Sequence, residues 1–98
     1  MSKYHNERTV VEGISFSSKK EARRYGELLW AKTSGDCLWF LRQVPFHLEG
    51  GVRYLADFLV FWKGGQITVE DVKGFKTPIY RLKKAQVEAR YPVKIVEI

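Results

Sequence analysis

Two glycine pairs, Gly50-Gly51 and Gly64-Gly65, divide residues 37–73 into three stretches rich in branched and aromatic side chains. A glycine pair between two such stretches signals a hairpin, because the tightest turns between antiparallel strands need positive φ angles that glycine adopts freely. Residues 37–48, 52–62 and 66–73 are therefore expected to form an antiparallel meander. Pro45 has no N–H to give to a ladder and marks a bulge or an edge in the first strand. The second strand is apolar at nearly every position, as suits a central strand covered on both faces.

The flanks read as helices. Residues 18–32 carry Ala22, Tyr25 and Leu29 at helical spacing, with Leu28 and Lys32 widening that face. Ser17 or Ser18 can cap the start, and Gly35 ends the segment. Thr77-Pro78 begins a second helix, with threonine as N-cap and proline in the first turn. Its inner stripe is expected at Ile79, Leu82, Ala85 and Ala89, and Pro92 ends it. Residues 93–98 alternate as a last strand, and a strand, a helix and a strand in sequence favour a crossover to a parallel neighbour. Residues 9–16 suggest one short strand or extended arm in front, and residues 1–8 a frayed arm. The reading is an α/β fold in one domain spanning residues 1–98.

Seventeen Lys and Arg stand against eleven Asp and Glu, a formal charge of +6. Such a balance draws a domain toward polyanions. Lys19, Lys20, Arg23 and Arg24 cluster on the first helix. Residues 76–94 hold Lys76, Arg81, Lys83, Lys84, Arg90 and Lys94 against Glu88 alone, six minus one or a local +5. Cys37 is the only cysteine, so no internal disulfide forms and a reducing cytoplasm is expected. No stretch approaches the ~20 apolar residues that cross a bilayer. His5, His47 and Cys37 fit no zinc-finger spacing.

The chemistry sits on the second and third strands. Alternation places Asp57 on a face with Leu55, Leu59 and Phe61, opposite Tyr54, Ala56, Phe58 and Val60. A carboxylate in the middle of an apolar face needs compensation, either from a divalent cation or from a buried Lys or Arg. On the third strand Ile67, Val69, Asp71 and Lys73 share a face, and Glu70 points to the other. Asp71 and Lys73 have Cα atoms about 6.5–7 Å apart and parallel side chains. That pattern suits a carboxylate holding a metal beside an amine that reaches the same phosphate or water. The meander can bring Asp57 and Asp71 together, and hard oxygen ligands favour Mg²⁺ or Mn²⁺. An exposed Asp71–Lys73 ion pair is the plainer alternative.

Tyr54-Leu55-Ala56-Asp57-Phe58 followed by Glu70-Asp71-Val72-Lys73-Gly74 resembles the two half-motifs of the PD-(D/E)XK nuclease superfamily, without the usual proline. Phe16-Ser17-Ser18-Lys19-Lys20-Glu21-Ala22-Arg23-Arg24-Tyr25 resembles the opening of a small phage-borne group in it, related to Holliday junction resolvases that act in DNA recombination. The resemblance covers roughly residues 9–98. It implies a restriction-endonuclease-like core, with a mixed central sheet flanked by helices, and Mg²⁺-dependent hydrolysis of branched DNA. Asp57, Asp71 and the Val72 carbonyl would ligate the metal, Lys73 would orient the attacking water, and Glu21 would stand near the metal. Gln43 resembles a polar residue near such sites. The eight cations Lys19, Lys20, Arg23, Arg24, Lys76, Arg81, Lys83 and Lys84 would line the DNA path.

Ser18-x-x-Glu21 is equally a capping box, in which the glutamate bonds the cap amide. Trp30, Trp39 and Trp62 read as core or interface residues rather than as platforms for bases. A single small domain does not cut two strands alone, which favours a homodimer. Rival functions are a restriction-like or nicking endonuclease on linear DNA, and a non-catalytic nucleic-acid-binding module. The acidic pair argues against the module, because two carboxylates repel phosphate unless a cation bridges them.

Overall fold

The computed structural model describes residues 8–72 and 76–98. Of the frayed arm expected over residues 1–8, residues 1–7 lie outside the described residues, as do Lys73, Gly74 and Phe75, while Arg8 donates to Ser15 Oγ at 3.0 Å. The strands are β1 (Thr9–Val11), β2 (Ile14–Phe16), β3 (Cys37–His47), β4 (Arg53–Trp62), β5 (Ile67–Asp71) and β6 (Ile95–Glu97). The helices are α1 (Lys19–Ser34) and α2 (Pro78–Arg90). Residues 9–16 are not one strand but a hairpin, β1 against β2, in a sheet of their own. Glu12 and Gly13 turn it with φ of 52° and 79°, both positive as a two-residue hairpin turn demands.

The main sheet has the order β3-β4-β5-β6, antiparallel through the meander and parallel between β5 and β6. The predicted mixed α/β architecture is therefore present. Pro45 pairs with Leu55 on β3, an edge strand with a free side for the missing N–H. The Ser18 hydroxyl caps α1 by accepting from Glu21 N, and Gly35 closes it at φ 91°. The Thr77 hydroxyl accepts from Tyr80 N at the start of α2. Among the described residues no helix is long and apolar enough to cross a membrane.

Two buried clusters hold the layers together. Phe16, Ala22, Tyr25, Leu28, Cys37, Phe58 and Val60 pack α1 on one side. Phe46, Tyr54, Ala56, Val69, Tyr80, Val87 and Ile95 pack α2 on the other. The face of α2 differs from expectation. Ile79 and Leu82 are 68% and 59% exposed, Ala85 and Ala89 are exposed too, and the helix buries Tyr80 and Val87. Tyr80 brings a large ring against Tyr54 and a hydroxyl that donates to Glu97 at 2.8 Å, so one aromatic anchor fixes the rotation of the helix. Of the core or interface roles expected for Trp30 and Trp39, the core is ruled out: they are 73% and 56% exposed.

The alternation expected along β4 fails at one point. Phe58 and Val60 lie in the α1 cluster while Leu59 packs in the α2 cluster, as a two-sided sheet requires. Tyr54 and Ala56 share the parity of Phe58, yet they lie in the α2 cluster. The β3–β4 ribbon thus turns over at Asp57. The register on either side, Arg42↔Phe58 and Val44↔Ala56, sets Gln43 across from Asp57, and Gln43 takes a φ of 53°. A non-glycine residue in that region is strained by on the order of 1–3 kcal/mol, a cost met mostly at functional sites. Asp57 is consequently half-buried rather than sunk in an apolar face, and the fully buried acids are Glu21, Glu70 and Asp71.

Candidate active site

Four elements deliver polar groups to the point where the ribbon turns over. Glu21 comes from the first turn of α1, Gln43 from β3, Asp57 from β4, and the Val72 amide from the residue that follows β5. They form one chain of hydrogen bonds. The Gln43 Nε2 group donates to Glu21 Oε2 at 3.2 Å and to Asp57 Oδ1 at 3.3 Å. Val72 N donates to the other Asp57 oxygen, Oδ2, at 2.8 Å. Glu21 Oε1 accepts from Ser17 N at 3.3 Å and Ser17 Oγ at 2.8 Å. One Glu21 oxygen ties down the start of α1 and the other faces Gln43. The bond goes to the Ser17 amide, so the reciprocal half of a capping box through Ser18 N is not the one made.

Asp71 ends β5 one residue before Val72. Continuing the β4–β5 register one step past Phe58↔Glu70 sets Asp71 across from Asp57. Its carboxylate is fully buried, and Tyr54 Oη donates to Oδ2. Burial first, and then this hydrogen bond to Asp71, push the Tyr54 phenol far above its ordinary range. The Tyr80 phenol is pushed up as well, by burial and by its bond to Glu97. A raised native value means the unfolded chain releases the proton first, so this stability is whole below about pH 10 and is lost as pH rises beyond it. Urea titrations from neutral pH into the alkaline range should show Tyr54→Phe less stable at pH 7, with a shallower alkaline limb than the parent. An unchanged limb would remove Tyr54 from that role.

The ligand atoms gathered here are carboxylate oxygens, which suit a hard divalent cation. Glu21 Oε2 and Asp57 Oδ1 hang on one nitrogen at 3.2 and 3.3 Å, so their separation has a ceiling of 3.2 + 3.3, about 6.5 Å. Two ligands of one Mg²⁺ lie within about 4 Å of each other, twice a bond of about 2.1 Å. Among the described residues no three His, Cys, Asp or Glu side chains stand as a closed metal cage. The donor chemistry fits Mg²⁺, with the Gln43 amide spacing the two carboxylates. Lys73, the predicted amine, lies outside the described residues.

The predicted DNA-facing cations divide into groups. Lys19, Lys20, Arg23 and Arg81 are exposed. Lys76 and Lys84 reach Glu97 at 3.2 and 3.5 Å, and Lys83 donates to the Arg53 carbonyl at 3.4 Å. Arg24 differs most from expectation: it is held by buried Glu70 through Nε at 2.7 Å and Nη2 at 2.6 Å, and by Glu27 at 3.0 Å. Its two-pronged bond to Glu70 makes it a structural tie between α1 and β5 rather than a free phosphate ligand. Cys37 is a buried thiol donating to the Trp39 carbonyl, and burial pushes its pKa up. One cation that the sequence reading passed over stands at the site: Arg42, whose Nη2 is 3.9 Å from Glu21 Oε2.

Over residues 1–97 the chain matches the family model described as a protein of unknown function (DUF1064), and it belongs to that family. No curated protein matches it.

Proposed function

We propose that this member of the DUF1064 family is a Mg²⁺-dependent endonuclease that hydrolyses DNA phosphodiester bonds, with Glu21, Asp57, Asp71 and Lys73 as its reactive centre. The observation that carries the reading is the hydrogen-bonded chain from Glu21 through Gln43 and Asp57 to the Val72 amide, with Asp71 next along the backbone. Glu21 and Asp57 are far apart in the sequence, and a fold with no use for their convergence would separate two like charges rather than hang them on one amide.

Asp57, Asp71 and the Val72 carbonyl would hold the cation, with Glu21 beside it. A divalent cation bound there supplies charge neutralisation at the phosphate and lowers the pKa of a water. The chain's own residues do the rest. The Val72 amide fixes the Asp57 carboxylate through Oδ2 and leaves Oδ1 turned toward Gln43. Tyr54 fixes Asp71 from within the core, so that carboxylate is oriented before any ligand arrives. Lys73 orients the attacking water and adds positive charge to the transition state. Exposed Lys20, Arg23 and Arg81 contribute to holding the DNA backbone. Branched DNA is the proposed substrate class, on the resemblance to junction resolvases, and a homodimer is the proposed acting unit.

Purified protein is to be incubated with single-stranded, duplex and four-way DNA in Mg²⁺, Mn²⁺ or EDTA. Cleavage should occur with either metal, vanish in EDTA, and fall by at least about 10²-fold in both Asp71→Asn and Lys73→Ala. Wild-type rates in Asp71→Asn would reject the site, and cutting confined to linear duplex would reject the substrate class.

A further inference from the structure

Arg42 is held in an unfinished arrangement. Its guanidinium carbon lies 4.5 Å from the centroid of the Phe16 ring and 5.9 Å from that of Tyr25. Its nearest acid is Glu21, with Nη2 to Oε2 at 3.9 Å, too long for a hydrogen bond. Its Nε is buried and has no hydrogen-bond partner among the described residues. The side chain keeps 26% of its surface exposed. Arg24, by contrast, closes both prongs on Glu70 at 2.6 and 2.7 Å.

Neither plain structural role accounts for this. As a neutraliser of Glu21, Arg42 is poorly placed, since a charge-assisted bond would sit near 2.7–2.9 Å. As packing on Phe16, a methionine would serve without burying a donor that has no acceptor, which is a standing cost. Stacking on an aromatic ring does something else: it fixes the plane of the guanidinium while leaving its Nη groups available. Arg42 also adjoins strained Gln43 on β3, so its position is coupled to the site.

We propose that Arg42 is a phosphate-binding residue of this site, taking a non-bridging oxygen of the DNA backbone beside Glu21, Gln43 and Asp57. The inference rests on the nuclease reading above and adds to it the group that offsets acid–phosphate repulsion. A phosphate oxygen arriving at the exposed part of the guanidinium accepts from its Nη groups, a planar set of donors that lysine cannot copy. The loose contact to Glu21 yields to it at little cost.

Binding of a short fluorescent duplex is to be followed by anisotropy in EDTA across a salt series, so that no cleavage intervenes. Arg42→Met should bind about tenfold more weakly, with the salt slope reduced by about 1, the signature of one lost phosphate contact. Arg42→Lys should keep the slope and recover only part of the affinity. Lys32→Met, which removes a cation stacked on Trp39, should leave both near wild type. Wild-type affinity and slope in Arg42→Met would overturn the inference, as would an equal loss in Lys32→Met. Should Arg42→Met fail to fold by circular dichroism, the wild-type protein decides: its Arg42 Nε–H resonance should shift on adding the duplex, and a still resonance overturns the inference. The binding arm contains no metal, so a failed inference with Mg²⁺-dependent cleavage intact leaves the nuclease reading standing. A wild-type protein that binds DNA through Arg42 and never cuts it sinks the nuclease reading alone.

Discussion

Asp57→Asn is expected to leave the fold standing and to cut Mg²⁺-dependent DNA cleavage by about 10³-fold. The substitution keeps the shape of the side chain and one acceptor oxygen. That oxygen can still take the Val72 N–H, now made at 2.8 Å to Oδ2. The new amide nitrogen then faces the Gln43 amide, donor against donor, unless Gln43 rotates its carbonyl toward it. The Gln43 hydrogen bond is worth about 1 kcal/mol, so its loss should move melting by circular dichroism by only several degrees. Cleavage should respond far more. The negative charge at Oδ1, turned into the cluster with Glu21, disappears, and with it much of the pull on a hard cation. Calorimetric titration with Mn²⁺ should show the matching loss of affinity, and Asp36→Asn, an exposed aspartate at the end of α1, should change neither readout. A folded Asp57→Asn that cuts at the parental rate would sink the proposal.

Much of the site was legible in spacing. Gln43, Gly50, Asp57, Gly64 and Asp71 follow one another at intervals of seven residues. Two hairpins centred on Gly50 and Gly64 therefore set all three polar side chains in one row across the sheet. The observed registers, with Arg42↔Phe58 in one ladder and Phe58↔Glu70 in the other, follow those centres. Counting from the turns also sets Gln43, singled out above only by resemblance, as the partner of Asp57. The caps at Ser18 and Thr77 were equally local and came out as read.

What stayed hidden depends on contacts distant in sequence. The buried face of α2 follows Tyr80, because its hydroxyl finds Glu97 on β6 and its ring finds Tyr54 on β4; hydropathy alone ranks Ile79 and Leu82 above it. The turning-over of the ribbon at Asp57 breaks the period of two on which facing was inferred. Arg24 looked like one of four equivalent cations on a solvated helix, and only the fold reveals Glu70 beneath it. Arg42 gave no signal, since a lone arginine between Leu41 and Gln43 says nothing until Phe16 and Glu21 close around it. Exposed Trp30 and Trp39 show that aromatic content alone does not assign a core.

Arg24→Ala is expected to cost about 3 kcal/mol of stability, the largest loss from any single surface-reaching cation among the described residues. Glu70 is 2% exposed and lies on β5 between Val69 and Asp71. Removing the guanidinium leaves its carboxylate buried without the two bonds at 2.6 and 2.7 Å that make it tolerable. Exposed pairs such as Lys76–Glu97 should cost far less, because water replaces the partner. The direction of the Arg24 pKa, pushed up chiefly by its bond to Glu70, agrees with a charge held by the fold. Urea unfolding of Arg24→Ala, Glu70→Leu and the double variant should show the double variant more stable than Arg24→Ala, since it no longer buries an unpaired charge. A cost below about 1 kcal/mol in Arg24→Ala would mean that the pair behaves as a surface pair. The effect should also reach the site. Arg24 joins the first half of α1, which carries Glu21, to the end of β5, which carries Asp71 and leads to the Val72 amide. Loosening that tie shifts Glu21 and Val72 relative to one another, so at temperatures where Arg24→Ala is still folded its cleavage rate should fall, while its DNA affinity stays close to that of the parent. A fall in affinity with an unchanged rate would instead return Arg24 to the group of phosphate-binding cations.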